Sequence, residues 1–398
     1  MMGTDTKRLF RILAVANFFL YLGFNIWRSL FNNFAVEELG IRADQIGIIQ
    51  SLREVPGLMG FVIGFLVLVL SEMRVMGLSV LLLGLGLVLT GWADNLSVFM
   101  MGTMVTSIGF HFFYPSNSGL LLMAVGKEEA PKMLGRLRSV AALASFIGLA
   151  LAYILVAGVE LGPISIPAWS YRKLLYMVGG VVIAGSLVAF RNGGDEGKQQ
   201  EKRKVIFRRD YWLYYVLTFM MGSRRHIFTT FAIFMLVDIY GIDVRVTIAL
   251  FLVNSLVSTF ALAQLGKLVA YLGERAVLTF NFIGLIGVFL GYAYVAYLPV
   301  LYVLFVLDHI FFGFNLAVDS YFQKIAHSPE EITSNISLAQ TINHVSALVV
   351  PVLGGILWEQ ISPTATFLAG VVIAVISLVL VQFIRIGPAL EPQAVSLD

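Results

Sequence analysis

Apolar residues in this chain neither alternate with polar ones nor form narrow stripes. They run on for roughly 20 residues at a time, the length a helix needs to cross about 30 Å of hydrocarbon. Twelve such runs are readable, at approximately 11–35, 45–70, 75–93, 97–124, 134–158, 172–190, 211–238, 245–270, 276–296, 299–324, 334–358 and 363–385. Backbone polar groups find no partners in hydrocarbon, so a spanning segment is a helix or a strand of a closed barrel. Barrel strands would be shorter and would alternate, so the pattern predicts an all-α membrane protein of twelve transmembrane helices. The first run follows Met-Met-Gly-Thr-Asp-Thr-Lys-Arg and continues past Trp27 to Phe34. It is too long for a signal peptide and is expected to be a retained span.

The longest polar stretch, residues 191–210, separates six runs from six and reads as a linker between halves 1–190 and 211–398. The halves resemble each other. Arg28-Ser-Leu-Phe-Asn-Asn-Phe-Ala-Val in span 1 aligns with Arg225-His-Ile-Phe-Thr-Thr-Phe-Ala-Ile in span 7. At the end of span 4, Asn117-Ser118 with Glu128-Glu129 matches Asp319-Ser320 with Glu330-Glu331 at the end of span 10. Such repeats mark a duplicated bundle and predict two pseudo-symmetric six-helix units.

Composition agrees: 59% of the 398 residues are hydrophobic and 13% charged, against about 25% charged in soluble proteins. Cysteine is absent, which excludes disulfides, thiol catalysis and cysteine metal sites. Basic residues set orientation. With the N-terminus inside, the cytoplasmic segments collect Lys7, Arg8, Arg11, Arg74, Lys127, Lys132, Arg136, Arg138, Lys267, Arg275, Lys324, Arg385 and the linker, while the outer loops hold Arg42, Arg172, Lys173 and Arg245. A multi-pass protein of the cytoplasmic (inner) membrane with both termini cytoplasmic is expected. Trp92, Trp169, Trp212 and Trp358 fall near span ends, as an interfacial belt should.

Six spans, a basic linker and six related spans resemble the major facilitator superfamily of transporters. The superfamily's motif Gly-x-Leu-x-Asp-x-x-Gly-x-Arg has a counterpart in Gly266-Lys267-Leu268-Val269-Ala270-Tyr271-Leu272-Gly273-Glu274-Arg275, with Ala270 in place of the acid. A weaker first copy begins Gly64-Phe65-Leu66 and ends Ser71-Glu72-Met73-Arg74. The resemblance implies a carrier that exposes a central cavity to each side in turn.

Ionisable groups at membrane depth are costly and are site candidates by default. Here they are Arg28, Arg53, Glu54, His111, Arg224, Arg225, His226, Asp308, His309, Asp319 and His344. Arg28 and Arg225 are repeat equivalents, about 22–26 Å along their helices from the cytoplasmic end. Facing each other across a cavity they would grip a carboxylate or phosphate bidentately. That placement is similar to the arginine pair on spans 1 and 7 of the superfamily's organophosphate:phosphate antiporters. The competing reading neutralises each inside the protein, Arg28 by Glu54 and Arg225 by Asp308 or Asp319. Arg224, about 100° round the helix from Arg225, is expected to pack on a neighbour. Arg53-Glu54 reads mainly as a structural pair.

Asn32, His111, Tyr114, His226 and His344 join the arginines as candidate substrate contacts. Glu54, Asp308 and His309 are candidate coupling groups, titrated by protons. No His-x-x-x-His, phosphate loop or nucleotide fingerprint occurs, so no metal, cofactor, ATP drive or enzymatic chemistry is expected. The linker's mixed charge argues against nucleic acid and allows contact with anionic lipid headgroups. The resulting expectation is a monomeric secondary transporter of a small organic anion, coupled to protons or a counter-anion. The alternatives are proton-coupled efflux of hydrophobic or cationic compounds through Glu54, Asp308 and the aromatics Phe110, Phe112, Phe113 and Tyr114, and a non-transporting membrane protein on the same fold.

Overall fold

The computed structural model describes residues 4–59, 66, 69–125, 129–161, 164–191 and 207–385. The centre of the linker, Lys127, Glu128, the start of the first motif copy at Gly64-Phe65 and the Glu330 side chain lie outside what is described.

Thirteen α-helices are described. The first half holds α1 (Thr4–Asn33), α2 (Ala43–Leu58), α3 (Glu72–Trp92), α4 (Leu96–Ala124), α5 (Ala130–Ala157) and α6 (Tyr171–Arg191). The second holds α7 (Trp212–Asp238), α8 (Val244–Leu272), α9 (Glu274–Tyr294), α10 (Leu298–Phe312), α11 (Asn315–Ile325), α12 (Pro329–Gln360) and α13 (Pro363–Val381). Together α10 and α11 make one interrupted crossing, so the chain crosses twelve times. By length and apolarity alone, nine crossings qualify among the described residues. The tenth span was expected as a continuous helix over 299–324. It breaks at Gly313, where turn bonds from Gly313 N–H to Ile310 O and from Phe314 N–H to Phe311 O replace the regular ladder. A short hairpin, β1 (Val159–Leu161) with β2 (Ile164–Ile166), is antiparallel and joins α5 to α6.

The duplication is visible in local geometry. A π-helical turn at Phe34–Glu38 extends α1, and Gly40 follows at φ 59°. Gly241 follows α7 at φ 60°. Glycine takes this left-handed conformation without a Cβ clash. Gly40 N–H bonds Val36 O and Ile41 N–H bonds Ala35 O; Gly241 N–H bonds Val237 O and Ile242 N–H bonds Leu236 O, the same pattern twice.

Packing inside the first half runs α3 on α4 and α6, and α1 on α5 and α6. In the second half α9 meets α13, and α7 meets α12 and α13. Across the halves the main contacts are α2 with α12 and α5 with α8. Trp92 and Trp212 are exposed as belt residues should be, whereas Trp358 is buried against Phe231, Phe234 and Phe367. Its place near a span end predicted a belt, but the packing of α7 on α12 and α13 encloses the indole.

On the membrane side opposite the termini the halves touch closely. The Asn33 amide donates to Ile242 O at 3.0 Å, and Ala43 N–H donates to Glu359 Oε1 at 3.1 Å. A Cβ on Gly355 would lie 2.7 Å from Ala43 O, and one on Gly47 would collide with the Pro351 carbonyl. Backbone therefore packs on backbone between α2 and α12. Gly47→Val should prise this face open. Spin labels on single cysteines replacing Arg42 and Gln360, in a chain with no native cysteine, should report a longer mean distance than in the parent. An unchanged distance distribution would refute the role given to Gly47.

Candidate functional site

A cavity of about 700 Å³ lies between the halves. Its lining reaches Tyr214, at the terminus side of α7, and stops at Asn32 on α1 and Gln50 on α2, below the sealed face. The cavity is therefore closed opposite the termini and extends toward the terminus side.

Arg28, Arg225, Asn32, His111, Tyr114, His226, His344 and Glu54 all line this cavity. Arg53 and Asp319 line it too, as do Trp27, Phe31, Phe110 and Phe251. Asp308 and His309 do not appear in the lining. Asp308 is bound to Arg224, Nη1 to Oδ1 at 2.9 Å, with both residues almost fully buried. The geometry therefore pairs Arg224, and not Arg225, with the acid, in line with the 100° offset between neighbouring helix positions. His309 packs against Phe305, and its Nδ1 has no protein partner.

Neither Arg28 nor Arg225 forms an ion pair with a described carboxylate. The Arg28 guanidinium sits 5.0 Å from the Phe251 ring centroid, crossing from α1 to α8, and that of Arg225 sits 4.3 Å from Phe312. Ring faces attract cations weakly and leave the N–H edges free. Arg53 lies 5.7 Å from the Trp27 ring. The charges that act most strongly on Arg28 are those of Arg53 and Arg225, so three guanidiniums converge on one space. Two further polar atoms there lack partners: Asn32 Oδ1, on a residue 5% exposed, and His226 Nε2.

Glu54 does not reach Arg28. Its Oε2 accepts from His344 Nδ1 at 3.0 Å and lies 3.8 Å from His111 Nε2, while Oε1 is 3.8 Å from Arg53 Nη2. These contacts join α2, α4 and α12, hence both halves. Gly57, one turn beyond Glu54, makes room for the His344 ring, which a Cβ would strike. Pro56 interrupts the α2 ladder here, and the Ser107 hydroxyl donates to the Arg53 carbonyl. Ser107 Oγ, 3.0 Å from His111 Nδ1, is then left to accept. The Ser107 carbonyl also accepts from Nδ1, at 3.0 Å. The proton of a neutral His111 is thus held on Nδ1, and the Nε2 lone pair points toward the Glu54 carboxylate. The cluster offers a proton a place between two acceptors.

Donor atoms of Glu54, His111 and His344 all lie within 4.8 Å of one another, a set that could hold a metal ion. Sequence spacing gave no metal site because the three residues come from three separate helices. Electrostatics disfavours a dication there: Arg53 already occupies the open side of the carboxylate, and Arg225 also acts on Glu54.

Arg53, expected mainly as half of a structural pair, stands 3.8 Å from Glu54 and also lines the cavity. Its depth in span 2 was the available signal. Asp319 lines the cavity near Tyr214, with which it interacts electrostatically, at the wide end. Its repeat equivalent Asn117 is buried and donates to Leu13 O at 3.3 Å. In the second motif copy Arg275 donates to Gln382 at 3.1–3.2 Å. Buried Glu274, four residues after Ala270 in sequence, takes Lys324 at 2.6 Å and the Ser320 hydroxyl at 2.7 Å.

The family model described as Major Facilitator Superfamily matches residues 13–349. Among solved structures, the chain is similar to a mutant of the nucleoside transporter NupG, at TM-score 0.75 and 13% identity over 94% of this chain and 99% of that one. It is also similar to a bacterial homologue of the human lysosomal transporter Spinster in an inward-facing, unoccupied conformation. That match has TM-score 0.74 and 12% identity, over 98% of this chain and 100% of the other. No curated protein matches by sequence.

Proposed function

The chain belongs to the Major Facilitator Superfamily, and from that footing we propose that it is a secondary transporter of a small organic anion, a carboxylate or phosphate ester, working by alternating access. The observation that carries this reading is the pair of repeat-equivalent arginines, Arg28 and Arg225, lining a cavity closed on one side, with no described carboxylate bound to either. A half-buried cation at membrane depth without a partner is costly, and an anionic solute is the partner that the cavity can admit. Asn32 and His226 supply further polar contacts. Trp27, Phe31, Phe110 and Phe251 give the solute an apolar wall, as ligand cavities commonly do.

Halves 1–190 and 211–398 rock about this point, joined by the linker 191–210 in the cytoplasm. The cavity is then inward-facing, as is the Spinster homologue by its description. Coupling is to a proton held by Glu54, His111 and His344, or to a counter-anion. Of the three coupling candidates, Glu54 is favoured over Asp308 and His309 because it alone lines the cavity. The protein acts as a monomer in the cytoplasmic membrane, without a resident cofactor or metal.

Two arginines without bound acids weigh against efflux of cations. A thermal-shift screen of the purified protein separates the readings. Organic anions should raise the unfolding temperature and organic cations of similar size should not. Stabilisation by cations alone would refute the proposal.

A further inference from the structure

Resting on the anion reading above, the charge inventory of the deep cavity narrows the substrate. We propose that Arg28, Arg53 and Arg225, offset by the single negative charge of Glu54, select a dianion, and that Glu54 is the residue that sets this charge.

Around the sealed end the formal charges are three guanidiniums and one carboxylate. Arg224 and Asp308 cancel each other behind the wall at 2.9 Å. Asp319 belongs to the wide end, beside Tyr214, and Tyr214 is eleven residues, about 16 Å at 1.5 Å per residue, from Arg225 along α7. The formal count is of the guanidinium and carboxylate side chains of the lining. What remains is two positive charges. A monoanion leaves one of them unmatched in a space walled by Trp27, Phe31 and Phe251, and a trianion overshoots by one. Each mismatch is costly where the wall is apolar and the cavity is closed on the side opposite the termini. Arg53 takes part although its neighbour Glu54 is adjacent in sequence, because Glu54 shares its charge with His344 and His111 and stands 3.8 Å from Arg53.

The test is isothermal titration of the full-length protein in detergent at pH 8 with two matched series. One is monomethyl succinate, succinate and tricarballylate; the other is dimethyl phosphate and methyl phosphate. The wild type should bind succinate or methyl phosphate about tenfold or more tightly than the corresponding monoanionic ester. Binding by succinate alone assigns a dicarboxylate, and by methyl phosphate alone a phosphate monoester; either supports the proposal. Glu54→Gln, which imitates a protonated carboxyl, should move the preference from succinate to tricarballylate. Arg53→Gln should move it the other way, to the monoester. The opposite directions of the two shifts guard against a general loss of folding. If anions bind without regard to charge, or if both variants keep the wild-type order, the dianion proposal is overturned while the anion-transport reading stands. If no anion binds at all, that reading falls and this one with it.

Discussion

Arg225→Ala should abolish transport of the anionic substrate while leaving the protein as stable as the parent. Truncating one partner of a desolvated charge pair costs about 2–5 kcal/mol. At tenfold per 1.4 kcal/mol, that lowers transport efficiency by at least about thirtyfold. Stability should hold because Arg225 forms no ion pair with a described carboxylate, and what its removal loses in attraction to Glu54 is offset by relief of its repulsion with Arg28, Arg53 and Arg224. Arg225→Lys keeps the charge but loses the planar fork, and should recover only part of the activity. The measurement is counterflow or pH-driven uptake in proteoliposomes, beside thermal unfolding of the same samples. Arg28→Ala should behave alike. A variant that transports normally, or one that unfolds many degrees earlier, would show that the guanidinium serves the scaffold instead of the solute.

One residue earlier the expectation reverses. Asp308→Ala should cost about 3–5 kcal/mol, the usual penalty for leaving a buried charge without its partner. Arg224 is fully buried, its only protein hydrogen bond among the described residues runs to Asp308, and its Nε and Nη2 already lack partners. Among the described residues no other acid pairs with Arg224. Removing both members with apolar residues, Arg224→Met with Asp308→Leu, should restore much of the loss, since a buried pair is commonly replaceable by well-packed hydrophobes. Thermal unfolding and yield in detergent give the answer. Equal stability of Asp308→Ala and the parent would mean that water or lipid headgroups reach Arg224, contrary to its burial.

These neighbouring arginines show what the sequence could and could not convey. The twelve crossings were legible because unbroken apolar runs of membrane length have one physical explanation. The repeat was legible because Arg28 and Arg225 sit in matching strings, and that match placed both in the cavity. Helix geometry also separated Arg224 from Arg225. Its partner was not legible, since Asp308 and Asp319 were equally available by depth. Nor was the cluster of Glu54, His111 and His344: the Glu54–His344 bond spans 290 positions, and no local spacing encodes a meeting of three helices. The break at Gly313 and the burial of Trp358 escaped for a related reason. Hydropathy records how apolar a segment is, but not whether its neighbours are lipid or protein. The sequence therefore offered Asp308 and His309 as coupling groups beside Glu54, and only their position relative to the cavity separates them.

The contact between Gly47 and Pro351, and between Gly355 and Ala43, has a mechanical consequence. A salt bridge of long side chains can stretch with moving helices for several ångströms, its strength fading slowly. Main chain resting on main chain has little slack, because a gap of about 0.5–1 Å already forfeits roughly a quarter to a half of the dispersion attraction. The barrier on this side should therefore yield abruptly, with its resistance concentrated at the first small displacement. Intermediate openings should be sparsely occupied, and single-molecule distance traces across α2 and α12 should jump between two levels without dwelling between them.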